Sequence, residues 1–172
     1  MIKVCEFAAD AAASTPAQLT VRLPFDERKK SRLKTAAENG EPLGFMLPRG
    51  HILRDGTRLL DESGRVIEVK AADETVSTVS SDNAHLVMRA AYHLGNRHVP
   101  LQIGDGWLRY QHDHVLDAMV IGLGLTVTVE DAPFEPEDGA YAGGHAHSHS
   151  HSHGDDHGHA HEHEHGHHHH DH

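Results

Sequence analysis

The chain has 172 residues, a single cysteine and a formal net charge of −11, with 21 histidines against 15 Lys and Arg. That length holds one domain or two small ones, and the acid excess argues against a nucleic-acid binder, which needs a basic stripe. Cys5 alone excludes an internal disulfide and a cysteine-rich zinc knuckle, and no apolar run approaches the roughly 20 residues of a membrane span.

Fifteen of the histidines fall between His145 and His172, together with five acids and no Lys or Arg. The folding portion is therefore about residues 1–132, enough for two compact units with thin cores. The alanine-rich start is broken by Glu6 and Asp10, so no signal peptide is expected and the chain is expected to be cytoplasmic.

Up to about residue 72 the signals are β. Gln18 to Leu23 alternates, with Leu19, Val21 and Leu23 on one side, and Leu43, Phe45 and Leu47 repeat the spacing. Arg58-Leu59-Leu60 and Arg65 to Lys70 follow, with Ser63-Gly64 as the hairpin turn between them. Asp26 to Lys34 is basic and polar, and Asn39-Gly40 is turn-prone. This spacing predicts a small β-sandwich or sheet-rich module. Arg28-Lys29-Lys30 is either a solvated face or a surface for an acidic partner, and His51 reads as a solvated loop residue.

From Glu74 the texture changes. Thr75 to Val79 is β-branched and reads as a strand. Ser81-Asp82-Asn83 offers N-caps for a helix whose apolar face is Val87, Ala90, Ala91 and Leu94, with Gly95 as its C-cap. Val99 to Ile103 is a strand, Gly104-Asp105-Gly106 a tight turn, and Trp107 to Gln111 its hairpin partner. Leu116, Met119, Val120 and Leu123 mark a second helix stopping near Gly124, and Leu125 to Glu130 closes as a strand. Strand, helix, strand, strand, helix, strand is the split βαβ order of a ferredoxin-like fold. The expectation is an α+β chain: a β-rich domain over 1–73, a ferredoxin-like βαββαβ domain over 74–132, a linker over 133–144 and a disordered histidine-rich tail over 145–172.

Three concentrations of imidazole point to metal. Past Leu94 come Asn96, Arg97 and His98, donors and ligands crowded onto one turn. His93 lies roughly 110° from the centre of the helix stripe, on its flank, where alone it reads as an ordinary polar residue. His112-Asp113-His114 opens the second helix; Asp113 serves equally as its N-cap. A helix N-terminus disfavours imidazolium and leaves the ring lone pair free for a metal. In the split βαβ order the end of the first helix and the start of the second can be neighbours at one edge of the domain. Imidazole without thiolate suits Ni(II), Cu(II) and Zn(II), and affinity order alone does not select among them.

The tail carries His145, His147, His149, His151, His153, His157, His159, His161, His163, His165, His167, His168, His169, His170 and His172. In extended chain, residues i and i+2 point the same way, so each His-x-His is a bidentate claw. At about three to six imidazoles per ion, such a tail holds roughly three to five ions. The two His-Glu-x-x-His matches within it lack the rigid helix that zinc-protease chemistry requires, and no P-loop or nucleophile elbow occurs. An enzyme is not expected.

The run from Tyr92-His93-Leu94-Gly95-Asn96-Arg97-His98 to Val99-Pro100-Leu101-Gln102, then His112-Asp113-His114 and a histidine-rich C-terminus, resembles the UreE urease accessory proteins, nickel metallochaperones of urease assembly. The resemblance covers nearly the whole chain. It implies a peptide-binding β-rich domain, a ferredoxin-like metal domain, and a homodimer in which His98 from both subunits binds Ni(II). It further implies peripheral metal ligands at His93, His112, Asp113 and His114, and a hand-off complex with the urease maturation GTPase and, through it, apo-urease. A nickel or zinc storage protein without a delivery role is the alternative.

Overall fold

The computed structural model describes residues 2–8 and 15–139; the histidine-rich tail, and with it every expectation placed on His145 to His172, lies outside the described residues. The described residues form two sheets. The first contains β1 (Ile2–Phe7), β2 (Leu19–Leu23), β3 (Arg32–Ala36), β4 (Pro42–Met46), β5 (Arg58–Asp61) and β6 (Val66–Ala71), with the one-turn helix α1 (Phe25–Arg28) between β2 and β3. Its strand order is β2-β6-β5-β1-β4-β3. β1 runs parallel to β4 and β2 parallel to β6, while the remaining pairs are antiparallel.

Apolar alternation puts Leu19, Val21 and Leu23 on the buried face of β2, one edge of this sheet. They share a core with Leu43 and Phe45 of β4, far along the strand order. The sheet curls to allow this: the Glu38 N–H, just past β3, donates to the Thr20 carbonyl of β2 at 2.8 Å, and Arg22 Nε donates to Glu38 at 2.9 Å. The module is therefore one curled sheet and not the two-sheet sandwich that was the other expectation. The parallel insertion of β1 between β5 and β4 is what a meander of local hairpins does not produce.

The hairpin at Ser63-Gly64 is where the sequence placed it, with Gly64 in the left-handed region at φ +84°. Asp61 anchors it. Its carboxylate accepts from the Ser63 and Arg65 N–H groups (2.8 and 3.0 Å), the Ser63 hydroxyl (2.7 Å) and Arg65 Nε (2.8 Å). Burial alone would raise its pKa, but these donors outweigh burial and bring it down to about 2. A depressed carboxyl pKa stabilises the fold above the ordinary value of 3.8 and ceases to do so as pH falls towards about 2. Asp61→Asn is expected to cost about 2 kcal/mol at pH 7. Urea melts should show that gap narrowing at pH 3; a gap independent of pH would contradict the assignment.

The second sheet holds β7 (Asp73–Ser80), β8 (Gln102–Gly104), β9 (Trp107–Gln111) and β10 (Val127–Pro133), with helices α2 (Ala84–Gly95) after β7 and α3 (His114–Gly122) after β9. Its order is β10-β7-β9-β8, antiparallel throughout. Asn83 caps α2, its side-chain oxygen accepting from the His85 and Leu86 N–H groups. Ala90 and Leu94 of α2 and Val120 of α3 enter one core with Val79, Leu108 and Tyr110 of the strands, so both helices cover the same face of the sheet. In the β8–β9 hairpin the Trp107 indole lies so close over Gly104 that an added Cβ would sit 2.0 Å from it, which accounts for the glycine there.

β10 runs three residues past the end expected at Glu130, pairing Pro133 with Asp73. The next residues, where a linker was expected to begin, are fastened. Phe134 is fully buried against Phe25, with ring centroids 5.4 Å apart and nearly perpendicular. The fully buried Arg28 donates to the carbonyls of Leu23 (3.2 Å), Leu53 (3.1 Å) and Phe134, and pairs with Glu135. Arg54 adds a bond to the Pro136 carbonyl (2.7 Å) and a pair with Asp138. The basic run Arg28-Lys29-Lys30 is thus divided: Arg28 is interior, whereas Lys29 and Lys30 are exposed, Lys29 pairing with Asp26 at 2.6 Å while lying over the Phe25 ring.

Candidate metal centre

Helix α2 ends in a way the glycine at 95 did not foretell. Gly95 is the last helical residue, and the left-handed position that closes the helix belongs to His98 at φ +56°. The His98 N–H donates to the Gly95 carbonyl (2.9 Å) and the Val99 N–H to the Leu94 carbonyl (3.3 Å). This is the Schellman pair, and Val99 and Leu94 supply its hydrophobic contact in the core. Pro100 follows and forbids further helix. His98 thus occupies the site that glycine ordinarily takes, at a cost of about 1 kcal/mol for an L side chain. Among the described residues it is the sole non-glycine at positive φ. Its ring is held out from the surface just beyond the negative end of α2, where the helix dipole favours a cation. Arg97 donates to the His93 carbonyl at 3.1 Å. His93 is half-buried, with its ring edge-on to Tyr92 at 5.3 Å.

At the start of α3 the three consecutive ligand types divide their work. Asp113 is the N-cap: one oxygen accepts from Val115 N–H (2.7 Å) and Leu116 N–H (3.1 Å). These two bonds hold its pKa below the usual carboxylate range. His114 is exposed. His112 is tied back instead, its Nδ1 lying 3.1 Å from Asp117 Oδ2 and 3.1 Å from Ser77 Oγ. Behind that contact the buried Tyr110 donates its hydroxyl to Asp117 Oδ1 at 2.8 Å; burial and then the Asp117 bond push the phenol well above its ordinary range. Sequence reading missed Asp117, Ser77 and Tyr110. Asp117 is an acid in the first turn of a helix, which by itself signals nothing, and only the cross-strand register of Ser77 with Tyr110 brings the group together.

Within one chain these residues do not assemble a closed site. Among the described residues, no three His, Cys, Asp or Glu side chains converge on a point that one ion would occupy. The expectation is that the end of the first helix and the start of the second can be neighbours at one edge, an incomplete site within one chain. Helix packing aligns the two helices on one sheet face. Nor is any described helix long and apolar enough to cross a membrane.

Fold and site together define a two-domain, strand-dominated protein whose second half presents exposed imidazoles where one helix ends and another begins. The model of the UreE urease accessory protein N-terminal domain matches residues 3–72, and that of the UreE urease accessory protein C-terminal domain matches residues 74–172. The chain belongs to the UreE urease accessory protein family. It is 58% identical over 130 residues to the urease accessory protein UreE of Alkalilimnicola ehrlichii, covering 76% of this chain and 80% of that one. The counterpart from Saccharophagus degradans is 59% identical over 126 residues (73% and 75% of the two chains), and that from Pseudomonas putida W619 is 61% identical over 123 residues (71% and 76%).

Proposed function

We propose that this chain is a cytoplasmic nickel metallochaperone of urease maturation and not itself an enzyme. It carries Ni(II) on a homodimer and passes it, through the maturation GTPase, to apo-urease. The carrying observation is His98, an exposed imidazole retained at a strained left-handed position that glycine would fill more comfortably. Strain of that kind persists where function requires it. One imidazole per chain is too few for a transition metal, and a two-fold axis doubles every ligand. The exposed apolar residues of the same unit support pairing: Met88 and Tyr92 on α2 and Val115 and Ile121 on α3 are each more than half exposed.

In this reading residues 1–73 are a peptide-binding module and 74–132 a ferredoxin-like metal domain. The antiparallel order β10-β7-β9-β8 supports the second assignment. His112, His114, His93 and the second oxygen of Asp113 are peripheral ligands. The tail from His145 to His172 is a weak, exchangeable store, able to take Zn(II) or Cu(II) in vitro as well. Calorimetry at pH 7.5 should show a chain truncated at Gly144 losing roughly three to five nickel ions per chain. Equal stoichiometry would contradict the store. Delivery is separated from storage in cells: at limiting nickel, urease activation should depend on the chain and fall further on loss of His98 than on loss of the tail.

A further inference from the structure

We propose that Asp117 is a positioning residue for metal capture at His112, fixing the imidazole so that Nε2 faces outward as the donor atom. The inference rests on the metal-carrying reading above and adds a residue to it. The Ser77 hydroxyl, 3.1 Å from Nδ1, can donate or accept, but a carboxylate only accepts, and an Nδ1 lone pair facing Asp117 Oδ2 at 3.1 Å would be repelled, so the pair of contacts favours the proton on Nδ1. In the neutral ring the lone pair is then on Nε2, the remaining nitrogen. Asp117 is itself held from behind. Tyr110, with no exposed surface, donates to its other oxygen at 2.8 Å, and the buried Ser77 closes on Nδ1 from β7. The arrangement runs from a buried phenol to a carboxylate to an imidazole, each group orienting the next. Metal-binding histidines are commonly oriented in this way by a carboxylate on the second nitrogen. Among the described residues no side chain hydrogen-bonds the rings of His98, His93 or His114, so His112 is the one imidazole of the set held in a single orientation before metal arrives. Asp113, one residue on, is occupied with the helix cap and does not perform this task.

The test is long-range proton–nitrogen NMR on the full chain with Zn(II) as the diamagnetic probe, read at each assigned ring so that binding by the tail does not obscure it. The wild type should show His112 as the Nδ1–H tautomer, with zinc shifting its Nε2. In Asp117→Asn, whose amide can accept from or donate to Nδ1, the tautomer should become mixed. The zinc concentration that half-shifts His112 should rise roughly 10–100-fold, with His98 and His114 unchanged. A wild-type His112 protonated on Nε2, or an unaltered zinc response at His112 in Asp117→Asn, overturns the proposal. Should that variant fail to fold, the wild-type tautomer and the atom that zinc shifts decide by themselves. Zinc response at His98 with none at His112 refutes this inference alone, whereas no response at any folded-domain imidazole refutes the metal-carrying reading as well.

Discussion

Replacing His98 with alanine is expected to abolish the interface nickel while leaving the fold intact. In the proposed homodimer the substitution removes a ligand from each side at once. Loss of a single outer-shell partner already weakens metal binding 10–100-fold, so the drop here should exceed roughly 100-fold. His98→Gly separates the ligand from the backbone. It should lose the same nickel, yet gain about 1 kcal/mol, because glycine adopts the φ of +56° without the Cβ clash. In thermal melts of the apo protein that gain is worth roughly 3 °C. Alanine, which keeps the Cβ, should show no such rise. Calorimetry on both variants and apo melts check the pair. A glycine variant no more stable than wild type would remove the claim that the imidazole is kept against backbone preference.

The second large effect is structural. Arg28→Ala is expected to destabilise the protein by about 3–5 kcal/mol, since it removes donors from three buried carbonyls and leaves the partly buried Glu135 carboxylate with only the longer pairing to Arg54 at 3.8 Å. Typical stabilities are only about 5–15 kcal/mol, so the variant should be marginal. Arg28→Lys should rescue little of this. A compact ammonium does not reproduce the planar fork that reaches Leu23, Leu53, Phe134 and Glu135 together. Hydrogen exchange gives the local signature. The Glu135 N–H, bonded to the Gln102 side chain at 3.0 Å, and the Glu137 N–H, bonded to the Leu101 carbonyl at 2.7 Å, should lose protection first. A loss below about 1 kcal/mol in urea melts would mean that Phe134, Arg54 and the backbone bonds hold this strap without Arg28.

What was legible in the sequence was local. The periodicity of Val87, Ala90, Ala91 and Leu94 marks α2, and the turns at Ser63-Gly64 and Gly104 to Gly106 mark two hairpins, because each depends on neighbours within a few residues. β1 was not visible: its partners are Leu43 to Phe45 and Leu59 to Asp61, and nothing near Ile2 announces them. β3 was hidden by its charges. Arg32 and Lys34 read as a polar stretch, yet they suit an edge strand whose alternate residue Leu33 packs on the core. Arg28 shows the same limit more sharply, since its role needs a partner 107 residues away. At the site, the Gly95-Asn96-Arg97-His98 run carried the family resemblance, but not which residue takes the left-handed turn. Burial of Val99 against Leu94 and the stop at Pro100 make that choice.

Nickel bound to the chain truncated at Gly144, with sedimentation equilibrium on the same samples, tests the central claim most directly. The account predicts a dimer holding about one tightly bound ion per two chains, and loss of that ion in His98→Ala. A monomer that binds nickel one to one, or a dimer whose ion survives the substitution, would contradict it.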